Sequence, residues 1–455
     1  MGNLSQEVAK RPFTSAELEN SAPFDPDKRL RGEAGSALLD ELLGRIEPWE
    51  LATGARRRKR KPDDTKSLAL TMDVLLANLA ALWLNRVDAT RFLAVSFNAN
   101  DYRLPLSLKA MQALRNWMEA EGLIEVAPGF QKVERYEHSM PIARRTRLRA
   151  TPLLIEEFEG FGIGRQSLRT VPMRGVILIR NREEEGDAPP KVQASAAVIE
   201  AVNARLSNTT ITLPDDAWAR IGRARVEGDD DDAYRAFAGD HTAKTLRRIF
   251  SKTWDRGGRI YGGWWMHVPK AERQYIHIDG EPVVEWDYSY LHPALLFART
   301  ETVLDFDPYT LKGVDIPSLR DLGKRTFQRL VNRDTLPTRA APGDANFLPS
   351  GMTFKAYLAL YLNRLSPITR WLGVDAGMGL QREDSDLAVD ILMRMNAAGI
   401  TALPVHDSVL VQERHSEALK KVMRETYRER YGTTPGMKVT EPGGDATLGT
   451  PGVHN

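Results

Sequence analysis

The chain runs to 455 residues, enough for two or three domains with separate cores. Its 42% hydrophobic and 27% charged content is ordinary for a folded protein, and a net charge of only +2 leaves any nucleic-acid affinity to local basic patches rather than a global field. The absence of cysteine excludes disulfides, thiolate zinc sites and cysteine nucleophiles, and fits a reducing cytoplasm.

No opening segment reads as a signal peptide, and residues 1 to about 65 show no sustained periodicity. They end in Arg56-Arg57-Arg58-Lys59-Arg60-Lys61-Pro62, the pattern of a disordered basic tail that adds salt-sensitive affinity wherever phosphates are near. Residues 66 to 182 change character. The apolar stretch from Leu68 to Asn85 is broken by Thr71, Asp73 and Asn78, so it predicts a buried helix rather than a membrane span. Leu106 to Ala120 carries Leu108, Met111, Leu114, Trp117 and Met118 on one side and starts at Ser107, which can cap it. After Gly122 come an apolar strand, Leu123 to Val126, a Pro128-Gly129 turn, and a return strand bearing Arg144, Arg145, Arg147 and Arg149. Helix, helix and basic hairpin resemble a winged-helix domain. That likeness implies that Lys109, Arg115 and Asn116 face DNA while Arg144, Arg145 and Arg147 contact phosphates.

Val171 to Arg180 predicts a further buried strand, and Glu183 to Pro190 a linker. Val192 to Leu206 is helical in pattern, and Gly228-Asp229-Asp230-Asp231-Asp232 reads as a solvated acidic loop, because a flexible like-charge run seldom forms a metal site. Residues 245 to 455 hold the chemistry. Two apolar strand-like runs each deliver an aspartate: Val283-Val284-Glu285-Trp286-Asp287-Tyr288-Ser289 and Leu403-Pro404-Val405-His406-Asp407-Ser408. Between them, Arg320 and Lys324 stand four residues apart on one face of a predicted helix. Strand-borne aspartates can share a pair of divalent metals, and a helical Arg/Lys pair can hold nucleotide phosphates. The helix Asp384 to Asn396, with Leu387, Ile391, Leu392 and Met395 apolar, is expected to pack beneath the strands, leaving Arg394 at the surface.

These motifs, in this order, resemble the A-family DNA polymerases and, at the second aspartate, the single-subunit phage-type RNA polymerases. Asp287-Tyr288-Ser289 is similar to the family's first motif, Arg320 and Lys324 to its fingers helix, His406-Asp407-Ser408 to its third motif, and Gly258-Arg259-Ile260 to the segment preceding the first. This resemblance covers about 245 to 455 and, joined to the winged-helix likeness of the first half, implies an α+β chain in which a winged-helix domain is followed by a reduced palm and fingers, with 183 to 244 serving as linker and a small helical thumb. It implies two magnesium ions, or manganese, on Asp287 and Asp407, with the Tyr288 carbonyl as a further oxygen. Lys324 and Arg320 would grip the triphosphate, Lys324 protonating pyrophosphate, and Arg259 would touch the primer or template backbone. Of the aromatic pair Trp264 and Trp265, one is expected in the core and the other on nucleic acid.

The departures from the family are as specific. His292 stands five residues after Asp287, where DNA polymerases carry a glutamate that crowds the sugar 2′ position and phage-type RNA polymerases a small residue, so the preferred sugar stays open. Gln328 and Asn332 occupy positions where the family has aromatic residues, Phe327 is one place off, and Tyr309 is an alternative stacking group. The expected partners are a DNA template and nucleoside triphosphates, in replication or priming of DNA such as that of a mobile element. Three alternatives remain: a single-subunit RNA polymerase, a DNA-binding initiator or regulator with an inactive palm, and a metal-dependent nuclease, which has no use for Arg320 and Lys324.

Overall fold

The computed structural model of the chain describes residues 13–85, 88–99, 102, 106–132, 142–171, 175–180, 187–227, 243–300, 302–314 and 316–442. The acidic run Gly228–Asp232 lies outside them, as do the first half of the expected linker, 183–186, and part of the basic hairpin. The fold is mixed α+β and divides into two compact units, one of Met1–Met173 with Trp218–Ala243, the other of Arg174–Ala217 with Lys244–Asn455.

The first unit overturns the expected tail. From Phe13 to Asn85 the chain is structured, and Gly32–Thr53 is a 22-residue helix. Leu38, Leu42 and Ile46 recur every four residues on it and are fully buried. The basic run fills the turn between this helix and the next, Pro62–Trp83; its charge masks the apolar stripe upstream. Among the described residues Pro62–Trp83 is the one helix long and apolar enough to cross a membrane, and most of it lies inside this unit's core, with Met72, Leu75, Leu76 and Leu79 against Trp117 and Phe158. Leu108–Ala120 forms as expected, the Ser107 hydroxyl accepting the Ala110 N–H at 3.4 Å. Strands Ser21–Pro23, Phe92–Val95, Thr146–Ala150 and Ile124–Ala127 lie in that order, the first pair parallel and the others antiparallel.

In the second unit Glu281–Tyr288 is the hub of an antiparallel sheet. It pairs with His277–Ile278, Ser408–Gln412 and Met437–Thr440, and Leu403–Val405 pairs with Ser408–Gln412. Alternation along the strand sorts its side chains. Trp286 and Tyr288 turn to the helix Ser416–Tyr431, where Trp286 Nε1 donates to Ser416 Oγ (3.0 Å) and the Tyr288 hydroxyl to the Met423 carbonyl (2.7 Å). Glu285 and Asp287 share the other face with Arg273 and Lys270. A second sheet of Ile177–Arg180, Arg247–Ser251 and Thr253–Tyr261 packs on the helix Gly377–Ala397.

Four expectations about this unit are corrected. The predicted strand 171–180 is shorter, Ile177–Arg180, and half-buried at a sheet edge. The helix expected near 192–206 is Pro190–Asn208; it is no separate thumb but lies on Gly377–Ala397, with Arg205 donating to the Asn396 side chain (2.6 Å) and the Gly399 carbonyl (2.9 Å). Ile211–Thr212 then joins the hub sheet, so the unit starts at Arg174 rather than 245. Trp264 and Trp265 are both buried, Trp265 Nε1 donating to the Pro404 carbonyl at 3.0 Å.

Candidate active site

Leu403–Val405 and Ser408–Gln412 are joined by a two-residue turn, His406-Asp407, with His406 in the left-handed region at φ 57°. In register, Asp287 faces Ser408, and the Asp407 carbonyl accepts the Tyr288 N–H at 3.4 Å. The pairing therefore sets the two predicted aspartates beside each other at the strand ends.

Their electrostatics are those of crowded like charges. Burial, then repulsion from Asp407, pushes the Asp287 carboxyl up to about 7. Its Oδ1 is buried with no hydrogen-bond partner, while Oδ2 lies 3.8 Å from Lys270 Nζ. Asp407 keeps solvent access at the turn although protein atoms ring it; this crowding and the charge of Asp384 raise its pKa.

Around the pair stand residues that motif reading missed. Asp384, 2% exposed on Gly377–Ala397, takes Arg259 Nη2 at 2.7 Å and Nε at 3.1 Å, with His292 Nε2 at 3.4 Å. Burial works against its charge, but His292 and Arg259 outweigh it and hold the carboxyl below its ordinary value. Glu285 behaves alike: burial opposes ionisation, and two bonds from Arg273 (2.9 and 2.8 Å) and one from the Ser408 hydroxyl (2.6 Å) overcome it. Glu285 had a signal in the sequence, since a glutamate inside an apolar strand needs a partner. Asp384 had none.

Arg320 sits on the helix Pro317–Val331, its Nε donating to Asp307 Oδ2 at 2.7 Å and its guanidinium over the rings of Tyr290 and Tyr309. The Tyr290 hydroxyl donates to the same Asp307 oxygen at 3.0 Å, which ties this helix to the turn just past Asp287. Lys324, one turn on, is exposed and free of ion pairs among the described residues. Gln328 is exposed, its Oε1 accepting from Asn332, and Phe327 is buried. Tyr309 is 8% exposed and packs edge-on against Tyr290 and Phe327, so it is no open stacking platform. Burial and the nearby charge of Asp407 raise its hydroxyl pKa, which puts this ring in the neighbourhood of the aspartates.

The structure thus gathers Asp287, Asp407, the Tyr288 backbone, His292, Arg259 and Arg320 into one region, and leaves Lys324 and Gln328 on a solvent-facing helix surface. In the first unit Lys109, Asn116 and Arg145 are exposed. Arg115 pairs with Glu119 at 3.0 Å, and Arg144 covers the Phe130 ring. Arg147 departs from expectation: its Nε donates to the Leu18 carbonyl at 2.7 Å and Nη1 to the Arg145 carbonyl at 3.1 Å.

No protein-family model matches the chain, and no curated protein matches it. Among solved structures it is similar to the POL domain of Pol1 from M. smegmatis, solved in complex with DNA primer-template and dNTP, at 15% identity and a TM-score of 0.31. The likeness is weak and covers 50% of this chain and 51% of that one, so the chain spans about half the length of that domain.

Proposed function

We propose that the chain is a template-directed nucleotidyltransferase, a DNA polymerase or primase-polymerase whose catalytic carboxylates are Asp287 and Asp407. The observation that carries this is the juxtaposition of the two on paired strands, with a buried Asp287 oxygen lacking any partner. Two like charges held together, one pushed up to about 7, call for a cation. The donors are hard carboxylate oxygens, with the Tyr288 carbonyl as a further one, which fits magnesium or manganese rather than a soft metal. Bound there, the metal supplies charge stabilisation to the attacking and leaving oxygens.

The chain's own groups do the rest. Lys324 binds the triphosphate and donates a proton to the departing pyrophosphate oxygen, and Arg320 leaves Asp307 to grip the same phosphates. Arg259 and His292, fixed on Asp384, line the approach for the sugar and the primer end. Ser408, through Glu285 and Arg273, holds the Asp407 turn. Within the first unit a winged-helix arrangement is supported by the strand order Phe92–Val95, Thr146–Ala150, Ile124–Ala127 beside Leu108–Ala120. There Lys109, Asn116 and Arg145 supply contacts to DNA, directing the enzyme to a start site in replication.

One observation favours a rival: Arg320 is already neutralised by Asp307, as suits a DNA-binding protein with an inactive polymerase-like unit. Incorporation of labelled dNTPs and, separately, NTPs on primed and unprimed single-stranded templates with magnesium decides between them. Extension by the native chain that falls by at least ~10²-fold in Asp287→Ala and in Asp407→Ala supports the proposal. No incorporation with duplex binding intact supports the rival, and release of nucleotides from the template would make the site a nuclease.

A further inference from the structure

The basic run Arg56–Lys61 is a built loop. The helix Gly32–Thr53 ends at Gly54, in the left-handed conformation at φ 73°, and the Arg56 N–H donates back to the Glu50 carbonyl at 3.1 Å. Arg60 folds under the loop, its guanidinium 2.5 Å from each Glu50 carboxylate oxygen, with both side chains only 6% exposed. Arg56 Nε donates to the Arg58 carbonyl at 2.9 Å, and its Nη2 lies 3.8 Å from Asp64. Pro62 then opens the following helix. The anchors use two of the run's six cations. The other four, Arg57, Arg58, Lys59 and Lys61, are exposed, and none has an ion pair or side-chain hydrogen bond among the described residues.

We infer that this loop is a docking site for the phosphate backbone of nucleic acid, separate from the catalytic pair and independent of base sequence. Four cations confined to a tight turn lose less freedom on binding than the same charges on a coil, so each phosphate contact costs less ordering entropy. Nucleic acid is favoured over an anionic membrane because Gly54 to Lys61 carries no large apolar side chain to enter a bilayer, and surface attachment by charge alone is weak. The carboxylates nearby do not neutralise the patch: Asp64 leans toward Arg56, and Asp63 lies 3.9 Å from Lys66.

The test uses the full chain without nucleotide. Fluorescence anisotropy measures binding to two unrelated labelled duplexes across a sodium chloride series, for the native chain and for the Arg57→Ala/Arg58→Ala/Lys59→Ala/Lys61→Ala variant. Each phosphate contact contributes about 0.9 to the slope of log affinity against log salt, so the variant is expected to lose about 3.6 units of slope, equally on both sequences. Lys421→Ala, which removes an exposed cation paired with Glu425 on the helix Ser416–Tyr431, keeps the native slope. An unchanged slope in the fourfold variant overturns the inference, as does a loss seen only on vesicles containing anionic lipid. Because no incorporation is read, the result stands or falls apart from the proposed catalysis.

Discussion

At the scale of single residues, the site is governed by uncompensated charge. Asp287 carries a proton in the folded chain to a higher pH than in the unfolded chain, so its contribution to stability is fully present below the usual carboxylate pKa near 4 and is lost as pH rises through about 7. Replacement by the isosteric amide removes that loss. Asp287→Asn is therefore expected to melt higher than the native chain at pH 8 without divalent metal, by roughly 1–2 kcal/mol, and to converge with it at pH 4. Calorimetric melts across this range check it, and the opposite pH trend would sink the assignment. Adding magnesium at pH 8 is expected to raise the melting temperature of the native chain and not of the variant. Glu285 presents the reverse case, a buried carboxylate kept charged by Arg273. Arg273→Ala strands that charge and is expected to destabilise by about 3–5 kcal/mol in urea titration, whereas Lys270→Ala, at a half-exposed contact, changes stability by less than about 1 kcal/mol.

Among elements, the helix Pro317–Val331 shows how a motif can be legible while its setting is not. Arg320 and Lys324 follow from four-residue spacing, and the apolar stripe of Leu319, Leu322, Phe327 and Leu330 marks the buried face. Gly323 has a reason visible only in the packing: a Cβ there would stand 1.9 Å from the Tyr309 carbonyl oxygen. Gly323→Ala is expected to push the helix from the Tyr309 segment and cost about 1–3 kcal/mol in urea titration and, under the proposed nucleotidyl transfer, to raise the KM for nucleotide more than it lowers kcat in steady-state incorporation. Asp307, which holds Arg320, lies thirteen residues upstream in a segment without periodicity. Nothing in its local sequence marks it as a partner. The segment before residue 65 failed in the other direction, because the six-cation run outweighed the Leu38, Leu42 and Ile46 repeat that buries the helix.

For the whole molecule, the decisive fact is that the second unit begins at Arg174 and contains the helix Pro190–Asn208. Val192, Ile199, Val202 and Leu206 are buried there, and Arg205 bonds to the end of the helix Gly377–Ala397. A fragment of residues 174–455 is expected to melt cooperatively, while 245–455, which follows the motifs alone, exposes that apolar face and loses one of the two strand partners of His277–Ile278. Circular dichroism melts of the two fragments read the difference. A stable 245–455 fragment would show that the helix is dispensable.

The sequence by itself determined the α+β character, the apolar runs that become the hub strands, and the place of Asp287 and Asp407 at the ends of those runs, because each follows from periodicity or from residues within a few positions of one another. It also determined the capped helix at Leu108–Ala120, where Ser107 and the apolar spacing agree. Tertiary structure alone decided that Asp384 joins Arg259 and His292, that Arg320 meets Asp307, that Arg147 turns inward, and where the units divide. Those outcomes depend on pairings across long separations, such as the 125 residues between Arg259 and Asp384, whose free energy comes from shared burial rather than local pattern.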